Sequence, residues 1–183
     1  MSFRMTNRRA AARRSGSSLL EFTFVGIPLL FALVSVFEIS RGMWIYNTLA
    51  HGVKQATRYA INHGNNCASP PNNCVITAGA ICTRMKDMGT GLEGSKVVNI
   101  QLTSASRTLS FTTLTACMAS TVVFPSRTIG PTTDVGGHQG NPVEIVARYQ
   151  FDSSLSMFWP GAGPGKTFGR VYLGASAKEY IQH

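Results

Sequence analysis

Two residues near the N-terminus, a glycine and a glutamate, have types and spacing that could do chemistry. Gly16 follows an arginine-rich segment, and Glu21 lies five positions later, just before the almost wholly apolar run Thr23–Phe37. A carboxylate at the head of a membrane helix is costly unless it has a partner. Cleavage after Gly16 would give Ser17 a free cationic amine, which can pair with Glu21 of a neighbouring copy. We therefore expect Glu21 to have an ionic partner, and a free amine at Ser17 of a neighbouring copy would supply one.

The apolar run is the element that must position these residues. Ser17–Phe37 forms a helix of roughly 30 Å, enough to cross a bilayer. A secretory signal peptide is the alternative, but its apolar region usually spans only ~7–15 residues and ends at a small-x-small cut site. No such site follows Phe37, and a signal peptide has no need of Glu21. We therefore expect a retained membrane helix.

The charge distribution gives this helix a direction. The net charge is +9, and more than half of it comes from arginines that precede Gly16. These are Arg4, Arg8, Arg9, Arg13 and Arg14. Positive residues stay on the cytoplasmic side, so the rest of the chain is expected in the periplasm. The remaining basic residues are scattered singly, which argues against a nucleic-acid surface.

The helical pattern continues beyond the apolar run as far as about Asn62. Apolar residues recur there at steps of three and four, which predicts an amphipathic helix packed on a folded domain. They are Met43, Tyr46, Leu49, Ala50, Val53, Ala56, Thr57 and Ala60. Trp44 and Tyr46 fit either the membrane interface or the domain core. Pro28 predicts a kink in the membrane part.

The second half of the chain predicts an α+β domain. Val75–Met88 reads as a second helix ended by Gly89. Five later runs are strand-like, from which we expect an antiparallel sheet of about three to five strands packed on the first helix. The strand-like runs are Lys96–Thr103, Arg107–Thr113, Ser120–Phe124, Val143–Phe151 and Phe168–Ala177.

The four cysteines all follow the apolar run, which suits an oxidising compartment. Cys67 and Cys74 flank a Ser-Pro-Pro loop and could close it, which would leave Cys82 for Cys117. Four cysteines allow three pairings, and all three remain open here. Zinc is the alternative, but no Cys-x-x-Cys or suitably spaced histidine supports a metal site. We expect disulfides, with no metal and no cofactor.

No pattern of residues predicts catalysis. His51 and His63 have no acid beside them, and no metalloprotease, nucleophile-elbow or phosphate-loop motif occurs. An enzyme would have to use Asp134, His138 or Asp152, which we interpret as solvated loop residues. The sequence therefore predicts that the chain is not an enzyme.

The N-terminal third resembles the TadE-like minor pilins of the tight-adherence (Flp) pilus. The resemblance consists of an Arg-Arg-x-Gly leader, a Leu-Glu-Phe start, a Pro in the stem, a Glu-x-x-Arg exit and an Ala-x-Arg-Tyr-Ala end. The segments that carry it are Arg13–Phe22, Gly26–Leu30, Phe37–Arg41, Asn47–Leu49, Ala56–Ala60 and His63-Gly64. The major Flp pilins have Glu-Tyr where this chain has Glu21-Phe22, so a minor pilin or pseudopilin is favoured.

The resemblance implies that a prepilin peptidase cleaves between Gly16 and Ser17, and that Glu21 and Phe22 take part in subunit assembly. The implied partners are other pilins and pseudopilins and the assembly platform of the bacterial inner membrane. We expect a cytoplasmic leader (1–16), a transmembrane stem (17–40), its amphipathic continuation (41–63) and a periplasmic domain (64–183). The alternative is a signal-anchored periplasmic binding domain that never assembles.

Overall fold

The computed structural model describes residues 9–62, 76–104, 107–124, 142–154 and 169–180. The chain divides into two compact units, Met1–Ser40 and Arg41–His183. One helix, α1 (Arg9–Asn62), supplies the described part of the first unit and continues into the second. The fold is α+β, as predicted.

The second unit contains a four-stranded antiparallel sheet in the order β2-β1-β3-β4. Its strands are β1 (Val97–Ser104), β2 (Arg107–Thr113), β3 (Pro142–Asp152) and β4 (Arg170–Tyr180). Three helical segments accompany them: α2 (Ala78–Met88), a 3-10 turn (Gly94–Lys96) and α3 (Leu114–Met118). β3 and β4 stay in regular register from Pro142 opposite Tyr180 to Asp152 opposite Arg170.

One hydrophobic core joins one face of the sheet to residues 45–61 of α1, which we call the outer part of α1. Alternate residues of β3 are buried, as the period of a half-buried strand requires. On α1 the fully buried side chains are Leu49, Val53, Ala56, Thr57 and Ala60, at helical spacing. Burial of each large aliphatic side chain contributes on the order of 1.5–3 kcal/mol.

Two residues of the predicted α1 stripe are exposed. Met43 and Tyr46 lie outside the core, which begins instead at Ile45. Trp44 is also more than half exposed, so neither aromatic residue is a core residue. The buried stripe is rotated relative to the predicted one over its first turn, because Ile45 and Leu49 share the inward face.

Helix α2 ends as predicted and begins three residues later than predicted. The Gly89 N–H donates to the Met85 carbonyl at the C-terminus. At the other end the Thr77 hydroxyl accepts from the Ala80 N–H at 3.2 Å. Thr77 therefore caps the helix, and its own backbone is extended.

The predicted strand at Ser120–Phe124 is wrong. Only an isolated bridge joins Val123 to Thr77. The Ser120 and Val122 carbonyls accept instead from the first-turn N–H groups of Gly79 and Ala78, at 3.1 and 2.8 Å. These N–H groups have no partner within their own helix, so the segment stabilises the start of α2.

Close packing between α1 and α2 depends on Gly52. A Cβ at this position would lie 2.9 Å from the Met85 carbonyl oxygen and 3.5 Å from Gly89 backbone atoms. Real Cβ atoms rarely approach backbone so closely, so any side chain here would push the helices apart. Gly52 therefore allows α1 and α2 to pack closely within the second unit.

Candidate membrane-anchoring and assembly segment

The first part of α1 presents apolar side chains to the outside. Within the part of the chain that the structure describes, one helical stretch, Ser18–Asn62, is long and apolar enough to cross a membrane. Its most apolar 18-residue window is 0% buried, unlike the core helix of a soluble protein. This helix is a candidate membrane anchor. The exposed large side chains include Leu19, Leu20, Phe22, Phe24, Val25, Ile27, Leu29, Leu30, Phe31, Leu33, Val36, Phe37 and Ile39.

The predicted processing and assembly residues all lie on α1. Gly16 and Ser17 are part of its helical backbone, and the Glu21 and Phe22 side chains are exposed. Four residues of helix separate Ser17 from Glu21, a rise of about 6 Å. A terminal amine at Ser17 and the Glu21 carboxylate would therefore lie about one turn apart.

The few hydroxyl groups of the apolar stretch are satisfied inside the helix. Thr23 donates to the Leu19 carbonyl at 2.8 Å, and Ser35 donates to the Phe31 carbonyl at 2.8 Å. Hydroxyl groups in lipid need such partners because no water is available. The polar residues of the stretch are therefore compatible with a lipid environment.

Pro28 lies inside α1 without ending it. It cannot donate a backbone hydrogen bond, which membrane helices tolerate when neighbouring groups compensate. Gly26 lies two residues before Pro28, and the ring of Phe22, one turn before Gly26, lies over it. A Cβ at position 26 would meet Phe22 Cε1 at an ordinary 3.7 Å. Alanine would fit at position 26, so Gly26 is not required by packing within the helix.

Cys82 and Cys117 form a disulfide with 6.0 Å between their Cα atoms. Both residues are buried, on α2 and α3 respectively. A disulfide leaves neither sulfur free to bind zinc. Cys67 and Cys74 lie outside the described residues.

The acid and histidine candidates for catalysis do not converge within the described ranges. His51 is exposed, with Nδ1 3.4 Å from the Met88 carbonyl oxygen. Asp152 is the last residue of β3 and was wrongly interpreted as a loop residue. Among the described residues no group of three or more His, Cys, Asp or Glu could hold a metal ion. His63, Asp134, His138 and the glycine-rich 161–167 segment lie outside the described residues.

Sequence reasoning missed a charged cluster around Asp152. Arg170 Nε lies 3.0 Å from Asp152 Oδ1, and Lys96 Nζ lies 3.9 Å from Oδ2. The hydrogen bond from Arg170 is the main reason why the pKa of Asp152 is lowered. The Arg41 guanidinium donates to the Asp152 carbonyl. Of these residues Arg41 alone had a sequence signal, as the last residue of the Glu-x-x-Arg exit. The pairing of Asp152 with Arg170 depends on strand register, which the sequence pattern does not reveal.

Comparison with known proteins gives one family. A family model described as "TadE-like protein" matches residues 16–58, which include the apolar stretch and most of the outer part of α1. Comparisons with curated proteins and with solved structures give no match. The predicted resemblance to TadE-like proteins is confirmed over this segment, residues 16–58, which is less than a quarter of the chain.

Proposed function

We propose that the chain is a minor pilin, or pseudopilin, that takes part in assembling a thin adhesive pilus of the tight-adherence (Flp) type. One observation carries the proposal: the family match begins at residue 16, the last residue of the expected leader, and includes Glu21 and Phe22. All of the matched segment except Gly16 would therefore remain in the mature chain.

In this proposal a prepilin peptidase removes residues 1–16, and the mature chain starts with the Ser17 amine. The stem then associates with the stems of other pilins and pseudopilins in the membrane. Glu21 pairs with the terminal amine of a neighbouring subunit, and Phe22 packs beside it. The exposed apolar side chains of α1 support this role, because helix packing supplies the remaining contacts between stems.

The proposed topology places the leader in the cytoplasm and the second unit in the periplasm. The arginines before Gly16 support this orientation through the positive-inside rule. The Cys82–Cys117 disulfide supports it independently, since such bonds persist in oxidising compartments. The partners in the membrane are the pilus assembly platform and the lipid bilayer. A structural role without catalysis follows from the family.

Complementation of a deletion strain of the native host tests this function. Wild-type chain should restore surface pili counted by electron microscopy, and Glu21→Ala should reduce the count at least about tenfold, the effect of losing ~1.4 kcal/mol of association free energy. Asp87→Ala is the control, since it removes an exposed carboxylate of α2, outside the segment that resembles the family. It should restore pili as well as wild type does.

The signal-anchored binding domain makes the opposite prediction. Pili formed equally well without the chain, or with Glu21→Ala, would contradict the assembly role. Immunoblots of membrane fractions would show that each variant accumulates to the wild-type level.

A further inference from the structure

We propose that one corner of the second unit lies on the bilayer surface, with its aromatic and basic side chains at the level of the phospholipid headgroups. This inference rests on the proposed membrane anchor. We call this surface the Arg41 corner: it consists of residues 41–44 of α1, residues 93–96 around the 3-10 turn, Asp152 at the end of β3 and residues 170–172 of β4.

The register of the sheet places the end of β3 and the start of β4 at this corner. Asp152 pairs with Arg170, and Gln150 pairs with Tyr172. The Arg41 guanidinium lies 4.6 Å from the centroid of the Phe151 ring. The end of the sheet is therefore held beside residue 41, two positions after Ile39, the last apolar residue before Ser40 and Arg41.

The corner carries large side chains that remain exposed. Trp44 is 54% exposed, Tyr172 is 52% exposed, and Val171, which pairs with Phe151, is 53% exposed. Indole and phenol rings favour the interface between membrane and water, where the apolar ring and the polar group each find a suitable environment. Trp44 on α1 and Tyr172 on β4 are distant in sequence, yet both place an exposed amphipathic ring at this corner.

The charges of the corner suit a headgroup layer. Arg41, Lys96 and Arg170 are the cations, and Asp152 and Glu93 are the carboxylates. Lys96 Nζ lies 3.2 Å from Glu93, and Arg170 lies 3.0 Å from Asp152. These side chains remain between about one third and three fifths exposed. Basic side chains close to a bilayer surface are attracted to lipid phosphates.

The Arg41 corner could be covered by lipid or by another protein, and the unbroken course of α1 favours lipid. Arg41 lies in the same unbroken helix as the apolar run Thr23–Phe37, four positions beyond its end. A helix that leaves the bilayer near Ile39 must bring Arg41 and Trp44 to the headgroup layer, and contacts within the second unit attach Asp152 and Phe151 to Arg41. The sheet corner therefore reaches the same layer.

The opposite end of β4 provides a matched control. Tyr180 lies eight residues from Tyr172 on the same strand, so the two side chains point to the same face about 26 Å apart. Both are tyrosines, and tryptophan is a conservative replacement for either.

The test measures tryptophan quenching by lipids brominated near the glycerol end of their acyl chains, with the full chain in nanodiscs. Trp44→Phe and Trp159→Phe remove the native tryptophans. Tyr172→Trp then reports on the corner, Tyr180→Trp on the far end and Phe24→Trp on the anchor. With ~26 Å between the strand ends, we expect Tyr172→Trp to lose at least about a third of its emission and Tyr180→Trp less than about a tenth.

Quenching at position 24 together with equal emission losses at 172 and 180 would overturn this inference and leave the anchor standing. Absence of quenching at position 24 would contradict the anchor and the inference together. If Tyr172→Trp does not fold, Val171→Trp reports on the same corner with the same expected loss.

Discussion

In the second unit the guanidinium of Arg41 stacks over the ring of Phe151, 4.6 Å from its centroid. The same guanidinium donates to the carbonyl of the next residue, Asp152. One arginine, at the point where α1 enters the second unit, therefore holds the end of β3 by both a cation–π contact and a hydrogen bond.

Loss of this arginine should weaken the second unit. We expect Arg41→Ala to lower its free energy of unfolding by about 1–2 kcal/mol, the combined effect of the ring contact and a charged hydrogen bond. Arg58→Ala is the control: among the described residues Arg58 forms a partly exposed 3.7 Å ion pair with Glu179, and its loss should cost no more than about 0.5 kcal/mol. Urea denaturation of the detergent-solubilised chain measures both. Equal effects would show that Arg41 is an ordinary surface residue.

Gly91 should tolerate no side chain. Its φ is +84°, and a Cβ would lie 2.5 Å from Trp44 Cη2. We expect Gly91→Ala to lower the free energy of unfolding by at least about 1–2 kcal/mol, the cost of left-handed backbone for a residue with a Cβ.

Gly94→Ala is the comparison for that change. Its Cβ would meet Leu114 Cδ2 at an ordinary 3.7 Å. Thermal unfolding in detergent should separate the two variants, and a Gly91→Ala protein as stable as Gly94→Ala would refute the backbone argument.

Removal of the Cys82–Cys117 disulfide should destabilise the second unit more than any change above. The two cysteines are 35 residues apart, and closing a loop of that length is worth about 4 kcal/mol in the chain-entropy account. Joint substitution Cys82→Ala and Cys117→Ala should lower the urea midpoint relative to wild type. A double variant with the wild-type midpoint would mean that the bond contributes nothing to folding.

The ion pair of Asp152 should give a small dependence of stability on pH. Arg170 lowers the pKa of this carboxyl below its ordinary value of 3.8. Because the folded-state pKa is lower than the unfolded one, the ion pair stabilises the fold fully above the unfolded pKa of 3.8. This stability is lost as the pH falls from there through the folded-state pKa. Since the pair is partly exposed, Asp152→Asn should cost less than about 1 kcal/mol at pH 7. The difference from wild type should shrink below pH 3.8 in acid titrations of unfolding, and a difference constant down to pH 2 would be inconsistent with this explanation.

The elements that the sequence predicted well are those whose signal is local. Apolar continuity located the exposed apolar part of α1, and alternation located β3 to within a residue at each end. Gly89 marked the end of α2 because a helix often stops at glycine.

The elements that were missed depend on partners distant in sequence. Ser120–Phe124 has the composition of a strand, but its carbonyls bond the start of α2. Helix α3 is five residues long and has no periodicity to detect; its one local signal is Thr113, whose hydroxyl accepts from the Ala116 N–H. The cluster around Asp152 needed the β3–β4 register, which no short-range pattern encodes.

The mature N-terminus is the measurement that tests the central claim most directly. Intact mass and terminal peptide sequencing would be applied to the chain recovered from membranes of its native host. The account predicts a start at Ser17, which would leave the free amine that Glu21 requires. A start at Met1, or at a residue after Phe37, would contradict prepilin processing and with it the proposed assembly mechanism.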